Sequence, residues 1–338
     1  MHTMIAEALA APDSTSTVAA WQRELQESFR SPAALAAHLG LEPCPPHVPT
    51  AFAFRVPRAF AARMRRGDPA DPLLRQVWPA PAETHEASGF GPDPVGDLAA
   101  ARGDGLLHKY HGRVLLTLTG ACAVHCRYCF RRHFPYAGQT ASRGAWTRVQ
   151  EALHADPSIE EVILSGGDPL SLPDARLAAI ADDLAAVPHL RRLRIHTRQP
   201  VVLPSRVDDA LLAWLSRFPL PTSVVLHVNH ANEIDAALMA ACAALRRTGV
   251  HLLNQAVLLR GVNDSVADQT ALSVALFDAG VVPYYLHLLD RVRGAAHFHV
   301  PEEAATTIMM QMRDRLPGYL VPRLAREDAG AGAKTVIA

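Results

Sequence analysis

The chain has 338 residues, 33 basic and 33 acidic, and is 49% hydrophobic but only 6% aromatic. That length suits one large barrel or two ordinary domains with a core of Ala, Leu and Val. The charge balance excludes the electrostatic footprint of a nucleic-acid or acidic-membrane binder. The first residues lack a secretory signal and no apolar run is long enough to span a bilayer, so the cytoplasm is the expected compartment.

Residues 1–100 read as a helical and irregular extension. Val18 to Arg30 and Ser31 to Leu39 have amphipathic helical patterns, with Ser31-Pro32 as a start signal for the second, and Pro57 to Arg66 reads as a short basic helix. Proline-rich joints separate these pieces, and the turn-rich stretch from Gly89 to Asp97 reads as a linker or a loop laid on the next domain. From Arg113 the rhythm changes to alternating strands and helices. Strands are expected at 114–119, 161–165, 192–197, 223–228, 250–257 and 282–288. Helices are expected at 145–155, 173–186, 207–217, 233–248, 265–279 and 301–316. Such alternation implies a parallel sheet with right-handed crossovers. Six units with polar residues at the C-terminal strand ends suggest an α/β fold of the partial (βα)6 barrel type over 101–325, followed by a tail, 326–338. Function is expected to collect at those strand ends. A doubly wound open sheet is the alternative.

The most informative motif is C-x3-C-x2-C, formed by Cys122, Cys126 and Cys129 just after the first barrel strand. Three thiolates can hold three irons of a four-iron cluster and leave the fourth without a protein ligand, whereas ferredoxin-type carriers usually use four cysteines. Structural zinc wants four closed ligands. His125 or His133 is available to complete a tetrahedron, but no second paired cluster accompanies the motif. Cys44 and Cys242 are expected to be ordinary thiols, because disulfides are rare in a reducing compartment. The second barrel strand ends in Ser165, Gly166, Gly167, Asp168 and Pro169. Glycines there allow close backbone approach to a ligand, and free carbonyls with Asp168 can accept from an ammonium group. A plain strand-to-helix turn also uses Gly-Asp-Pro.

These two motifs, with the aromatic Tyr128 just before Cys129, resemble the radical S-adenosylmethionine (SAM) superfamily. The resemblance implies a [4Fe-4S] cluster whose open iron is chelated by SAM, and a deoxyadenosyl radical formed with one electron from the reduced cluster. The protein's part is to exclude water and hold the substrate close to that radical. Longer segments narrow the resemblance to the lysine 2,3-aminomutase family. They are Arg131 to Phe134, Arg113 to Leu116, Thr197 to Arg206, His227 to Glu233 and Asn254 to Asp264. That family also uses pyridoxal 5'-phosphate (PLP) to hold the migrating amino group.

PLP needs a lysine for its resting Schiff base, and among the 33 basic residues only Lys109 and Lys334 are lysines. A lysine on a small-residue tail is ordinarily a solvated one. The family's cofactor lysine sits in a similar Gly-rich tail, so the resemblance assigns that role to Lys334. Lys109, Tyr110 and Arg113 are expected around the phosphate, with Arg198 and Gln255 as weaker phosphate candidates. Arg131 matches the family's arginine for the substrate α-carboxylate, where a guanidinium fork suits the group. Asp290 and Glu327 match positions of acids near lysine's distal ammonium, which would select lysine over a neutral side chain. Glu327 stands where the family's stand-alone enzymes usually carry aspartate. The chain ends four residues after Lys334. With the segments 285–298 and 318–327, that end resembles the branch that converts (S)-α-lysine to (R)-β-lysine for attachment to elongation factor P by a separate ligase. An electron donor is a further implied partner. The rival readings are a stand-alone metabolic lysine or glutamate mutase and a non-enzymatic zinc or electron-transfer protein.

Overall fold

A computed structural model of the chain describes residues 18–42, 54–142 and 144–338; Cys44 lies outside the described residues. Nine strands form one sheet whose spatial order follows the chain. They are β1 (Leu106–Tyr110), β2 (Arg113–Thr117), β3 (Glu161–Ser165), β4 (Arg192–Thr197), β5 (Thr222–Leu226), β6 (His251–Val257), β7 (Val282–His287), β8 (Arg323–Arg326) and β9 (Thr335–Val336). Strands β2 to β8 are parallel, while β1 and β9 run antiparallel at the two edges. The sheet is thus a curved, unclosed barrel wall, as the alternation predicted. Sequence expected six parallel strands; a seventh, β8, and both antiparallel edges are additions. β8 runs across the expected boundary at 325.

The helices between strands follow from amphipathic patterning and strong caps. Asp208, Asp235 and Ser265 each accept a backbone N–H at a helix start, offsetting donors that the first turn leaves unpaired. Alternation along the strands then sorts the side chains. On β4, Leu193 and Ile195 pack outward into the helix layer, while Arg194 and His196 line an interior cavity. The same division puts Val162 and Leu164 of β3 outside and Ile163 and Ser165 inside, and Leu286 of β7 outside with Tyr285 and His287 inside. In-register pairing of Ile163 with Arg194, and of His196 with Val225, carries this inner face around the wall.

The extension is fixed onto the barrel. Helix Ala20–Gln26 lays Trp21 on the fully buried Arg206, whose guanidinium carbon lies 4.7 Å from the ring centroid. Helix Pro32–Leu39 starts at Ser31, as expected. The expected basic helix at 57–66 is shorter, Arg58–Ala61. One apolar cluster joins Trp21, Leu35, Phe60 and Leu73 of the extension to Val124, Val202 and Leu203 of the barrel. The turn-rich stretch lies on the barrel, where Gly91 exchanges backbone hydrogen bonds with Arg291 and Arg293 at 2.9 and 2.8 Å. Among the described residues, no helix is long and apolar enough to cross a membrane.

Candidate active site

A cavity of about 510 Å³ opens on the inner face at the C-terminal strand ends, within the size range of small-ligand clefts. The residues assigned to cluster, cofactors and substrate all border it: the three cysteines, the Ser165 to Asp168 turn, Lys109, Tyr110, Arg113, Arg131, Arg198, Gln255, Asp290, Glu327 and Lys334; His133 does not.

The cysteine loop leaves β2 and folds back under the turn after β3. Gly167 N–H donates to the Thr119 carbonyl at 2.6 Å and Asp168 N–H to that of Ala121 at 2.8 Å. A Cβ on Gly166, whose φ is 125°, would lie 2.5 Å from the Thr119 carbonyl oxygen, and one on Gly167 would lie 2.5 Å from that of Ala121. The close approach that requires these glycines is therefore to the chain's own cysteine loop. Burial first, then the Cys126 sulfur, pushes the Cys129 pKa up to about 11; burial, then the Asp168 carboxylate, then the other two sulfurs push that of Cys122 well above its ordinary value. Among the described residues, no three His, Cys, Asp or Glu side chains converge tightly enough to hold one metal ion. A donor set of three sulfurs bordering a cavity suits a cluster with one open iron better than a closed four-ligand zinc site.

Two expected roles are corrected here. The carboxylate of Asp168 is already engaged, accepting from Leu170 N–H (3.0 Å), the Thr197 hydroxyl (2.8 Å), Arg198 N–H (2.7 Å) and Gln199 N–H (3.0 Å). It ties the turn after β3 to the turn after β4 and is not free to accept a ligand's ammonium. A donor that sequence passed over, Gln199 Nε2, is buried at the same rim without a hydrogen-bond partner among the described residues. Arg198, a phosphate candidate, instead turns its fork to the cysteine loop, with Nη1 2.8 Å from Cys126 Sγ and 2.7 Å from the Tyr128 hydroxyl.

At the other end, the two lysines meet. Lys334 Nζ and Lys109 Nζ each lie 2.7 Å from Glu327, on separate carboxylate oxygens. Lys109 also donates to Val95 O at 2.9 Å and pairs with Asp97 at 2.5 Å. Asp97 in turn holds Arg131 Nε at 2.7 Å. Five alternating charges thus run Arg131, Asp97, Lys109, Glu327, Lys334. Burial raises the Glu327 pKa, but the two ammoniums more than offset it and hold the group down at about 2. Glu327 is engaged by the chain's own two lysines while the Lys334 amine is free. Asp290 is the open acid, with no hydrogen bond to its carboxylate from a described residue. Burial first, then the charge of Glu327, pushes it up to about 7. Arg131 adds contacts to the Ser165 hydroxyl at 3.2 Å and the Gly166 carbonyl at 3.3 Å, and no described residue hydrogen-bonds its Nη2. The tail that carries Lys334 is not frayed: β9 pairs with β8, and Ile337 N–H donates to the Leu324 carbonyl at 2.8 Å.

The residues fit a carbonyl cofactor with an anionic handle. Gln255 Nε2, His196 Nε2 and His287 Nε2 are buried along the cavity wall without a hydrogen-bond partner among the described residues. Burial keeps both histidines neutral, far below the ordinary imidazole pKa. Arg113 stacks on Tyr110 at 4.8 Å, and the Tyr110 hydroxyl faces Glu327. Sequence missed Asp97, His196 and His287. His196 and His287 sit at inward positions of β4 and β7, a signal that strand alternation carries. Asp97 lies in irregular chain, where no periodicity marks it.

The Radical SAM superfamily model matches residues 116–273. The chain is 51% identical to L-lysine 2,3-aminomutase of Escherichia coli (strain K12) over 284 residues, 84% of this chain and 83% of that one. It is 46% identical to the Haemophilus influenzae protein of the same name, over 85% of each chain. The likeness to the L-lysine 2,3-aminomutase of Buchnera aphidicola is 39% over 94% of this chain and 95% of that one, so it takes in the extension as well. Likeness of that degree and extent, over the site just described, means that the chain belongs to the lysine 2,3-aminomutase family of the radical SAM superfamily.

Proposed function

We propose that the enzyme is an isomerase that moves the amino group of (S)-α-lysine from C2 to C3, giving (R)-β-lysine, and that the product serves to modify elongation factor P. The observation that carries this reading is the entry of the tail lysine into the cavity that the three cysteines border. The cofactors are a [4Fe-4S] cluster, SAM and PLP; bound, they supply a carbon radical and a π-system that shelters the migrating nitrogen. Cys122, Cys126 and Cys129 would hold the cluster, and Gln199 and the turn at Ser165 to Gly167 would border SAM. Lys334 would receive the PLP aldehyde, with Arg113, Tyr110, Lys109 and Gln255 about its phosphate.

The chain's own residues then have separable tasks. Arg131, steadied by Asp97, offers its free nitrogen to the α-carboxylate. Asp290 receives the distal ammonium. Glu327 holds the proton of Lys334 while that amine is free and is itself steadied by Lys109. The neutral His196 and His287 face the substrate without adding positive charge near its ammonium. The β8–β9 hairpin closes the cavity beside Lys334 and helps to exclude water.

The test is anaerobic incubation with dithionite, SAM, PLP and lysine, followed by separation of α- and β-lysine. β-Lysine is expected, and unchanged lysine in a preparation with cluster and PLP present overturns the substrate. Borohydride is expected to fix a pyridoxyl group at Lys334. For the finer claim, the product is supplied with elongation factor P and its ligase, and mass analysis is expected to find the adduct. The matching segments at 285–298 and 318–327 support that branch.

A further inference from the structure

Arg198 has no part in the mechanism above, yet it is buried and both terminal nitrogens of its fork are engaged, one of them by the cysteine loop. Its Nη1 donates to Cys126 Sγ at 2.8 Å and to the Tyr128 hydroxyl at 2.7 Å. Its Nη2 donates to Gln76 Oε1 at 2.6 Å and to Glu233 Oε2 at 3.1 Å. Arg198 and Glu233 are both buried, at 7% and 0% exposure. A charge in such a place is tolerated only when paired. Glu233 is fixed in turn by Gln76 Nε2 at 3.0 Å and Asn229 N–H at 2.9 Å. Arg55 also reaches the loop, but at the Cys122 backbone carbonyl, 3.1 Å away, and not at sulfur. Cys126 is thus the cysteine whose sulfur receives a fully charged donor from a described residue.

We propose that Arg198 is a positioning residue that sets the reduction potential of the cluster through Cys126 Sγ, with Glu233 opposing it. The inference rests on the reading of Cys126 as a cluster ligand. The step concerned is the gain of one electron, from a low-potential one-electron donor, that takes the cluster from 2+ to 1+. No bond forms or breaks and no proton moves. The added negative charge spreads onto the thiolate sulfurs. A charged N–H donor at one of them stabilises the reduced state more than the oxidised one and raises the potential. A carboxylate behind that donor lowers it. The pair holds the potential between what either charge alone would give.

The experiment is a redox titration of the anaerobically reconstituted full chain, without SAM, following the reduced-cluster signal by electron paramagnetic resonance. Arg198→Gln is expected to make reduction about tenfold harder, a midpoint about 59 mV lower for one electron. Glu233→Gln is expected to shift the midpoint upward. Arg198→Gln leaves Glu233 buried and unpaired and is the variant at risk of losing iron. If it does, Glu233→Gln decides alone: a rise supports the inference, and an unmoved or lowered midpoint overturns it. Unmoved midpoints in both variants, each with full iron content, likewise overturn it, because a purely structural role would leave the potential in place. A wild-type chain without a four-iron signal overturns the reading of the cysteines and this inference with it.

Discussion

Asp290 and Glu327 have the same chemistry and opposite environments. Glu327 lies against two ammoniums, which hold it ionised down to about pH 2. Asp290 lies deep, lacks a donor and faces the charge of Glu327, so it takes up a proton near pH 7. Only the ionised form can pair with a substrate ammonium. The folded-state pKa is raised, so the competent fraction falls as pH drops below 7, by about tenfold per unit. The expected result is a KM for lysine that climbs about fivefold between pH 7 and 6 and approaches about tenfold per unit below that. In Asp290→Asn it should be high and flat across that range, because the loss of a partner to a buried charge costs ~2–5 kcal/mol. A KM profile in Asp290→Asn that still breaks near 7 would assign the titration elsewhere. Lys334→Ala tests the neighbouring assignment. It should keep its iron and lose the borohydride-fixed pyridoxyl group, with turnover down by at least about 10²-fold.

Between residues and the whole lie the strands and turns, and here sequence reading divides cleanly. Strands β3 and β4 match the expected spans because each is a compact apolar or alternating run between turn signals. β1, β8 and β9 carry no such pattern: β1 mixes Leu106 and Leu107 with His108 and Lys109, β8 has four residues and β9 two. Their pairing is decided by the barrel edge they lie on, which is tertiary information. That the cysteines, Lys334 and Asp290 would border one cavity was legible from the cysteine spacing, the scarcity of lysine and the family's motif positions. The engagement of Arg198, Asp168 and Glu327 was not, because a motif gives a side chain's neighbourhood but not its direction. Asp168 shows what that direction means for stability. Asp168→Ala would strand four donors in a buried turn, each costing ~1–3 kcal/mol when left unsatisfied. Asp168→Asn keeps one carbonyl acceptor and should lose less. The expected order of chemical-denaturation midpoints is wild type, Asn, Ala. An Ala variant as stable as wild type that has lost only SAM affinity would restore the ligand-binding role.

At the scale of the whole molecule, the extension and the barrel form one machine for holding the cysteine loop. Gln76 accepts Arg127 N–H at its backbone carbonyl, 2.9 Å away, and carries Arg198 on its side chain. Glu83 holds Arg127 with both carboxylate oxygens and Arg132 at 2.9 Å. Asp97 reaches further, to Arg131 and Lys109. Every arginine in the sequence just after Cys126 and Cys129 is therefore met by an acid from before residue 100. The pairing of Glu83 is fully buried, with both partners nearly inaccessible, and breaking such a pair from one side costs ~3–5 kcal/mol. Glu83→Gln lies outside the cavity wall and touches no cysteine, yet it should loosen the loop that presents them. The expected outcome is a chain that folds with a lowered melting temperature, binds less iron on reconstitution and loses it faster to a chelator. Asp104→Asn is the control. Its pair with Arg148 sits on the surface, and Asn tolerates the positive φ of 53° there, so melting and iron content should not change. If Glu83→Gln holds its iron as the control does, the loop is self-supporting and the extension serves the barrel only as an apolar cover.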